Sequence, residues 1–140
     1  MKKTILLLLL CVVMLLAACA QAEEIKTGIG NYTKTETFMS EITSNSGETV
    51  KADAGNTLLV VTLTPAEGVV VDLDKADEYF MNGTQATLDG TTYDIVGVAY
   101  ERENAGDPII KCRLVFEVKD NGYSDSNEKP EVQILLPSVP

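Results

Sequence analysis

Histidine and tryptophan are both absent from the 140 residues. Without histidine there is no Ser-His-Asp or Cys-His nucleophile, and the usual zinc ligand sets are missing. A glycine-rich phosphate loop is lacking too, because Gly28-Ile29-Gly30 follows no strand pattern and opens no helix pattern. Basic residues are few, 11 Lys and Arg against 21 Asp and Glu, for a net charge of −10. Phosphate backbones and anionic headgroups repel such a chain, which argues against nucleic-acid binding. Only one long apolar run exists, residues 5–16, and its twelve residues fall short of a membrane span. A spanning helix needs roughly 20 apolar residues.

That run follows Lys2 and Lys3 and ends in Leu16-Ala17-Ala18-Cys19. A charged start, an apolar core of this length and small residues before a break are the parts of an export signal. The tetrapeptide resembles the lipobox of bacterial lipoproteins. The resemblance implies that Leu16, Ala17 and Ala18 are read by the processing machinery and that residues 1–18 are removed. It further implies that Cys19 becomes the N-terminus, carrying diacylglycerol and a fatty acyl group. The partner so implied is the lipid bilayer, on the extracytoplasmic side of the cell membrane. Two acyl chains hold a protein stably where one does not. An ordinary secretory signal is the alternative, cut after Ala20 or Ala22, since Ala20-Gln21-Ala22 has the A-x-A form.

Removal of 18 residues from 140 leaves 122, the length of one ordinary domain. Loss of Lys2 and Lys3 leaves nine basic against 21 acidic residues, a net charge of −12. That charge holds the domain off an anionic surface. Cys11 would leave with the signal; if Cys19 carries lipid, Cys112 has no intramolecular partner, and packing rather than cross-links must supply stability. The expected organisation is a signal peptide over 1–18, a tether over 19–31 and a folded domain over 32–140.

Within that domain the pattern is one of short strands and turns. Residues 35–43 alternate, with Phe38 and Ile42 on one face, before a turn at Asn45-Ser46-Gly47. Residues 58–64 are apolar on both faces at their start, which predicts a central strand. Val69, Val70 and Val71 predict another short strand. Asp89-Gly90 between Leu88 and Thr91 predicts a type I′ hairpin turn, since both residues tolerate positive φ. Residues 93–100 predict a strand interrupted at Gly97. In residues 109–119, Ile110, Cys112, Leu114, Phe116 and Val118 point one way, while Lys111, Arg113, Glu117 and Lys119 point the other, with Val115 the one apolar exception. That is the period of a half-buried antiparallel strand. Val132, Ile134 and Leu136 alternate through a last strand. Residues 73–81 are the one segment that could be helical: Leu73, Ala76, Asp77 and Phe80 have helical spacing, with one or two turns the limit. About seven strands at this spacing predict an all-β, antiparallel sandwich.

Residues 55–136 resemble an immunoglobulin-like domain family of unknown function carried by many Gram-positive lipoproteins. The likeness rests on Gly55-Asn56 opening the Leu58–Leu63 strand, on Leu88-Asp89-Gly90-Thr91-Thr92-Tyr93, and on Arg113-Leu114-Val115-Phe116-Glu117-Val118. It implies an immunoglobulin-like architecture and a lipid tether, and no catalytic residues. True immunoglobulin domains carry a core tryptophan and a cysteine pair, which this chain lacks.

The remaining candidates for chemistry are few. Cys112, on an apolar strand face, reads as a small core residue with an inert thiol. Asp72, Asp74, Asp77 and Glu78 are the densest set of oxygen ligands, of the kind Ca²⁺ takes. Ala76 and Asp77 break the calcium-loop pattern, and a solvated acidic turn is the plainer reading. Asp120, Asp125 and Glu128 form a weaker acidic group. Lys111, Arg113 and Lys119 pair with neighbouring carboxylates or dock an acidic partner. Tyr79, Phe80, Tyr93, Tyr100 and Tyr123 serve the core or line a ligand face. The expectation is a non-enzymatic, cofactor-free binding module whose partner is an unknown protein or small ligand. The alternative is a small-ligand or calcium-binding lipoprotein of a transport or sensing system.

Overall fold

The computed structural model describes residues 23–43, 47–123 and 130–137. Among these are ten strands and one helix: β1 (Glu23–Thr27), β2 (Gly30–Met39), β3 (Glu41–Thr43), β4 (Thr49–Lys51), β5 (Asn56–Pro65), α1 (Leu73–Met81), β6 (Gln85–Leu88), β7 (Thr91–Asp94), β8 (Gly97–Glu101), β9 (Lys111–Lys119) and β10 (Val132–Leu135). Five strands form the larger sheet in the order β1-β2-β5-β9-β8. Three form a second sheet, β10-β6-β7, and β3 and β4 pair as a hairpin. Every pairing is antiparallel. The architecture is therefore all-β and sandwich-like, as the turn spacing predicts.

β5 is the central strand. It pairs with β2 on one side and β9 on the other, and both of its faces are buried. Leu59, Val61 and Leu63 face inward, in register with Phe116, Leu114 and Cys112 of β9. Ala86, Leu88 and Val132 of the second sheet and Ala76 and Phe80 of α1 close over them. On the opposite face Leu58, Val60 and Val115 make a smaller core, covered by Met39, Ile42 and Ala52. Burial of each such large side chain contributes roughly 1.5–3 kcal/mol.

Asp89 (φ +48°) and Gly90 (φ +82°) both hold the left-handed conformations of a type I′ turn, and Leu88 pairs with Thr91 across it. α1 spans the expected residues 73–81 and is capped by Asp72, whose carboxylate accepts the Lys75 amide at 3.1 Å. Its nine residues exceed the one or two turns expected, because Ala76 and Phe80, one turn apart, both reach the core.

The structure corrects several details. Residues 23–27, expected within a tether, are a strand paired to β2 from Glu23↔Lys34 to Thr27↔Gly30. Phe38 and Ile42 do not share a face: the chain leaves β2 at Ser40, and Phe38 packs on the main core while Ile42 packs on the smaller one. Residues 69–71 form no strand, and Val70 is 84% exposed. Residues 93–100 are not one strand but the end of β7 and the first four residues of β8, in different sheets. The crossing is stitched at both ends, Ile95 N donating to Thr84 O and Val96 N to Val115 O. Ile110 lies just outside β9 and faces solvent, while Ile109 turns inward at 6% exposure.

Candidate functional surfaces

Leu16, Ala17, Ala18 and Cys19 lie outside the described residues, as do Asp125 and Glu128. The described residues offer three surfaces: a charged groove beside β1, an apolar groove beside β8, and the exposed face of α1.

The groove beside β1 holds about 480 Å³ and runs between the β1–β2 edge and β10. Glu23, Glu24, Glu36 and Glu131 line it, with Lys34 at its floor. Lys34 sits on the inward face of β2, only 6% exposed. Its ammonium donates to Glu36 Oε1 at 2.5 Å and to Val132 O at 3.4 Å, and pairs with Glu23 at 3.2 Å. Burial by itself would lower the Lys34 pKa. The hydrogen bonds and charges of Glu36 and Glu23 outweigh it and raise the group above the ordinary 10.5. One amine thus joins three strands, β1, β2 and β10, and ties the two sheets together along this flank. Lys34 carries no motif in the sequence. The only signal was its place between Tyr32 and Glu36 in an alternating stretch.

The groove beside β8 holds about 210 Å³ and is lined by Ile42, Glu48, Val50, Val96, Gly97, Val98, Ala99 and Val115. Here the β3–β4 hairpin overhangs the outer face of the larger sheet. Val50 and Val96 remain 43% and 52% exposed. β8 is also an edge strand. Exposed edges are commonly guarded by charge. β1, the other edge of the larger sheet, carries Glu23, Glu24 and Lys26, whereas β8 carries charge only at Glu101.

On α1, Asp74, Asp77 and Glu78 line one open groove with Leu73 and Tyr100. Asp72 caps the helix, and Asp77 accepts from the Tyr100 hydroxyl at 3.4 Å. Among the described residues no group of three or more His, Cys, Asp or Glu side chains is placed to hold a metal ion. Asp120 instead binds its own turn, accepting from the Gly122 amide at 3.0 Å. Lys111 and Arg113 both reach Glu101 on β8, at 4.0 and 2.9 Å, which is the cross-strand pairing expected of them. Such half-exposed pairs contribute at most about 1 kcal/mol.

The aromatics are distributed rather than gathered on one face. Phe80 is fully buried, edge-on to Tyr32 at 6.2 Å. The Tyr79 hydroxyl accepts from the Gly28 amide at 3.1 Å and donates to Pro137 O at 3.0 Å. Tyr93 accepts from the Lys119 amide at 3.4 Å. Tyr123 packs on Phe38 at 5.2 Å and donates to Asp89, fastening the β6–β7 turn to the larger sheet. Cys112 is wholly buried, and burial pushes its thiol up to about 12. That environment makes a core residue, not a nucleophile.

No helix among the described residues is long and apolar enough to cross a membrane. No family model, curated protein or solved structure matches the chain.

Proposed function

We propose that this chain is an exported lipoprotein, held through Cys19 on the extracytoplasmic face of the cell membrane. It displays an immunoglobulin-like β-sandwich as a non-enzymatic binding module. The observation that carries the reading is the spacing of Leu16-Ala17-Ala18-Cys19 against the fold. The motif ends four residues before β1, so an acylated Cys19 would join the folded unit directly. The half-exposed Val50 and Val96 beside an edge strand support a binding role, because sheet edges and apolar grooves are recurrent contact surfaces.

The test is the intact mass and N-terminal peptide of the protein purified from membranes. Loss of residues 1–18 with diacylglyceryl and acyl mass on Cys19 is the expected result. An unmodified N-terminus at Gln21 or Glu23 would overturn it in favour of a secreted protein. Cross-linking on intact cells then addresses binding. A discrete partner should be captured by the native chain and lost with Val96→Glu.

A further inference from the structure

The register of β1 constrains how a domain tethered at Cys19 can sit. Glu23 pairs with Lys34, which lies midway along β2. From that level the strand continues five residues to Met39 and four to Gly30. At about 3.3 Å per residue these distances are roughly 17 and 13 Å. Beyond Met39 the chain continues into β3 and β4, and at the other end the Gly28 amide of the β1–β2 turn donates to Tyr79 of α1. The four steps from Glu23 back to Cys19 span at most about 14 Å when fully extended. Cys19 therefore falls short of the Met39 end, and toward the Gly30 end it could pass the strand by no more than about 1 Å, and only with the chain doubled straight back against the direction of β1. It can reach past the side, because β1 is the edge of its sheet.

We propose that the flank formed by β1 and β10 faces the bilayer and that the β8 edge faces away from it. The inference rests on lipidation of Cys19. β10 belongs to this flank because Lys34 reaches Val132 O and residues 130–134 line the groove beside β1. Four strand spacings of about 4.8 Å place β8 roughly 19 Å further from the surface. The charge of Glu23, Glu24 and Glu131 opposes close approach to anionic headgroups, yet the reach of the chain decides the orientation. The apolar groove of Val50 and Val96 is left on the open side.

The experiment uses the diacylated protein in phosphatidylcholine vesicles containing an acceptor dye on the headgroups. Donor dye is placed at Lys26→Cys on β1, Val96→Cys beside β8, or Glu103→Cys beyond the Glu101 end of β8. All three positions are exposed, while Cys112 is buried and its thiol is not available. Transfer from Lys26 should exceed that from either other label at least about twofold, given the ~19 Å width of the sheet. Greater or equal transfer from Val96 or Glu103 would mean that one end faces the bilayer, and overturns the proposal. A twelve-residue Gly-Ser insertion before Glu23 supplies the second measurement. With about 16 flexible steps spanning roughly 22 Å, the contrast should collapse. Persistence of the contrast would show that the tether does not set the orientation. Failure of the protein to enter vesicles, with no acyl mass on Cys19, would refute the lipoprotein reading itself and this orientation with it.

Discussion

Lys34 shows how one side chain can organise a flank. Its ammonium is buried and satisfied by two carboxylates and a carbonyl from three strands. Charge-assisted hydrogen bonds of this kind are individually worth about 1.5–3 kcal/mol. Glu23 is largely exposed, which lowers what its pair returns. Lys34→Ala should therefore destabilise by about 2 kcal/mol in urea unfolding. Lys34→Met should recover most of that loss, since a buried ion pair gains little over apolar packing of the same volume. Equal losses in the two variants would show that the ion pairs rather than packing carry the effect. Gly30 is a second decisive residue. Its φ is +132°, and an added Cβ would lie 2.8 Å from Val69 Cγ1. Gly30→Ala should cost about 1–3 kcal/mol from backbone strain alone. A melting temperature unchanged from wild type would show that the β1–β2 turn relaxes freely.

At the scale of elements, the helix is set by its cap. Asp72 is the side chain that meets an amide of the first turn, so Asp72→Ala should lower stability by about 1 kcal/mol. Asp74→Ala, with no capping bond, should change it far less. Equal effects in thermal melts would assign the loss to the helix dipole instead of the cap. The elements that were legible in sequence share one property: packing and local preference agree in them. β9 alternates because one face is core. β5 is apolar on both faces because both are covered, and Asp89-Gly90 is the turn chemistry that its φ angles demand. β1 was illegible for the opposite reason. Glu23-Glu24-Ile25-Lys26-Thr27 has almost no apolar pattern, because an edge strand gains its order from pairing with β2 and is protected by its charges. The change of sheet at Ile95 and Val96 was hidden for a related reason. Two amides that bond to different sheets leave no mark on hydrophobic period. Of the candidate surfaces, the Glu101 pairing followed from strand alternation. The grooves beside β1 and β8 depend on which edges the topology leaves open, which no single segment encodes.

At the scale of the whole molecule, the core carries a pH dependence whose sign is the same at every site. Cys112 is raised from 9.0 to about 12 by burial. Tyr32 is raised from 10.0 to about 12, first by burial and then by the charges of Cys112 and Tyr79. Tyr100 is raised by burial and by Asp77, and Lys34 is raised by its carboxylates against the effect of burial. In each case the native state keeps a proton that the unfolded chain releases at lower pH. The stability these groups contribute is complete below about pH 9 and is lost as pH rises toward 12. For the wholly buried Cys112 and Tyr32, each retained proton steepens the decline by up to about 1.4 kcal/mol per pH unit. The urea midpoint should therefore fall steeply above pH 9. Cys112→Ala removes the group that ionises first in the unfolded chain, so the onset should move about one unit higher, toward the tyrosine range. The same titrations in concentrated salt separate this local effect from general repulsion in an acidic chain, because screening acts on exposed charges and little on buried ones. A decline that disappears in salt would assign alkaline unfolding to net charge. One that persists, and that shifts with Cys112→Ala, would assign it to the buried thiol and phenols that the two sheets and α1 enclose.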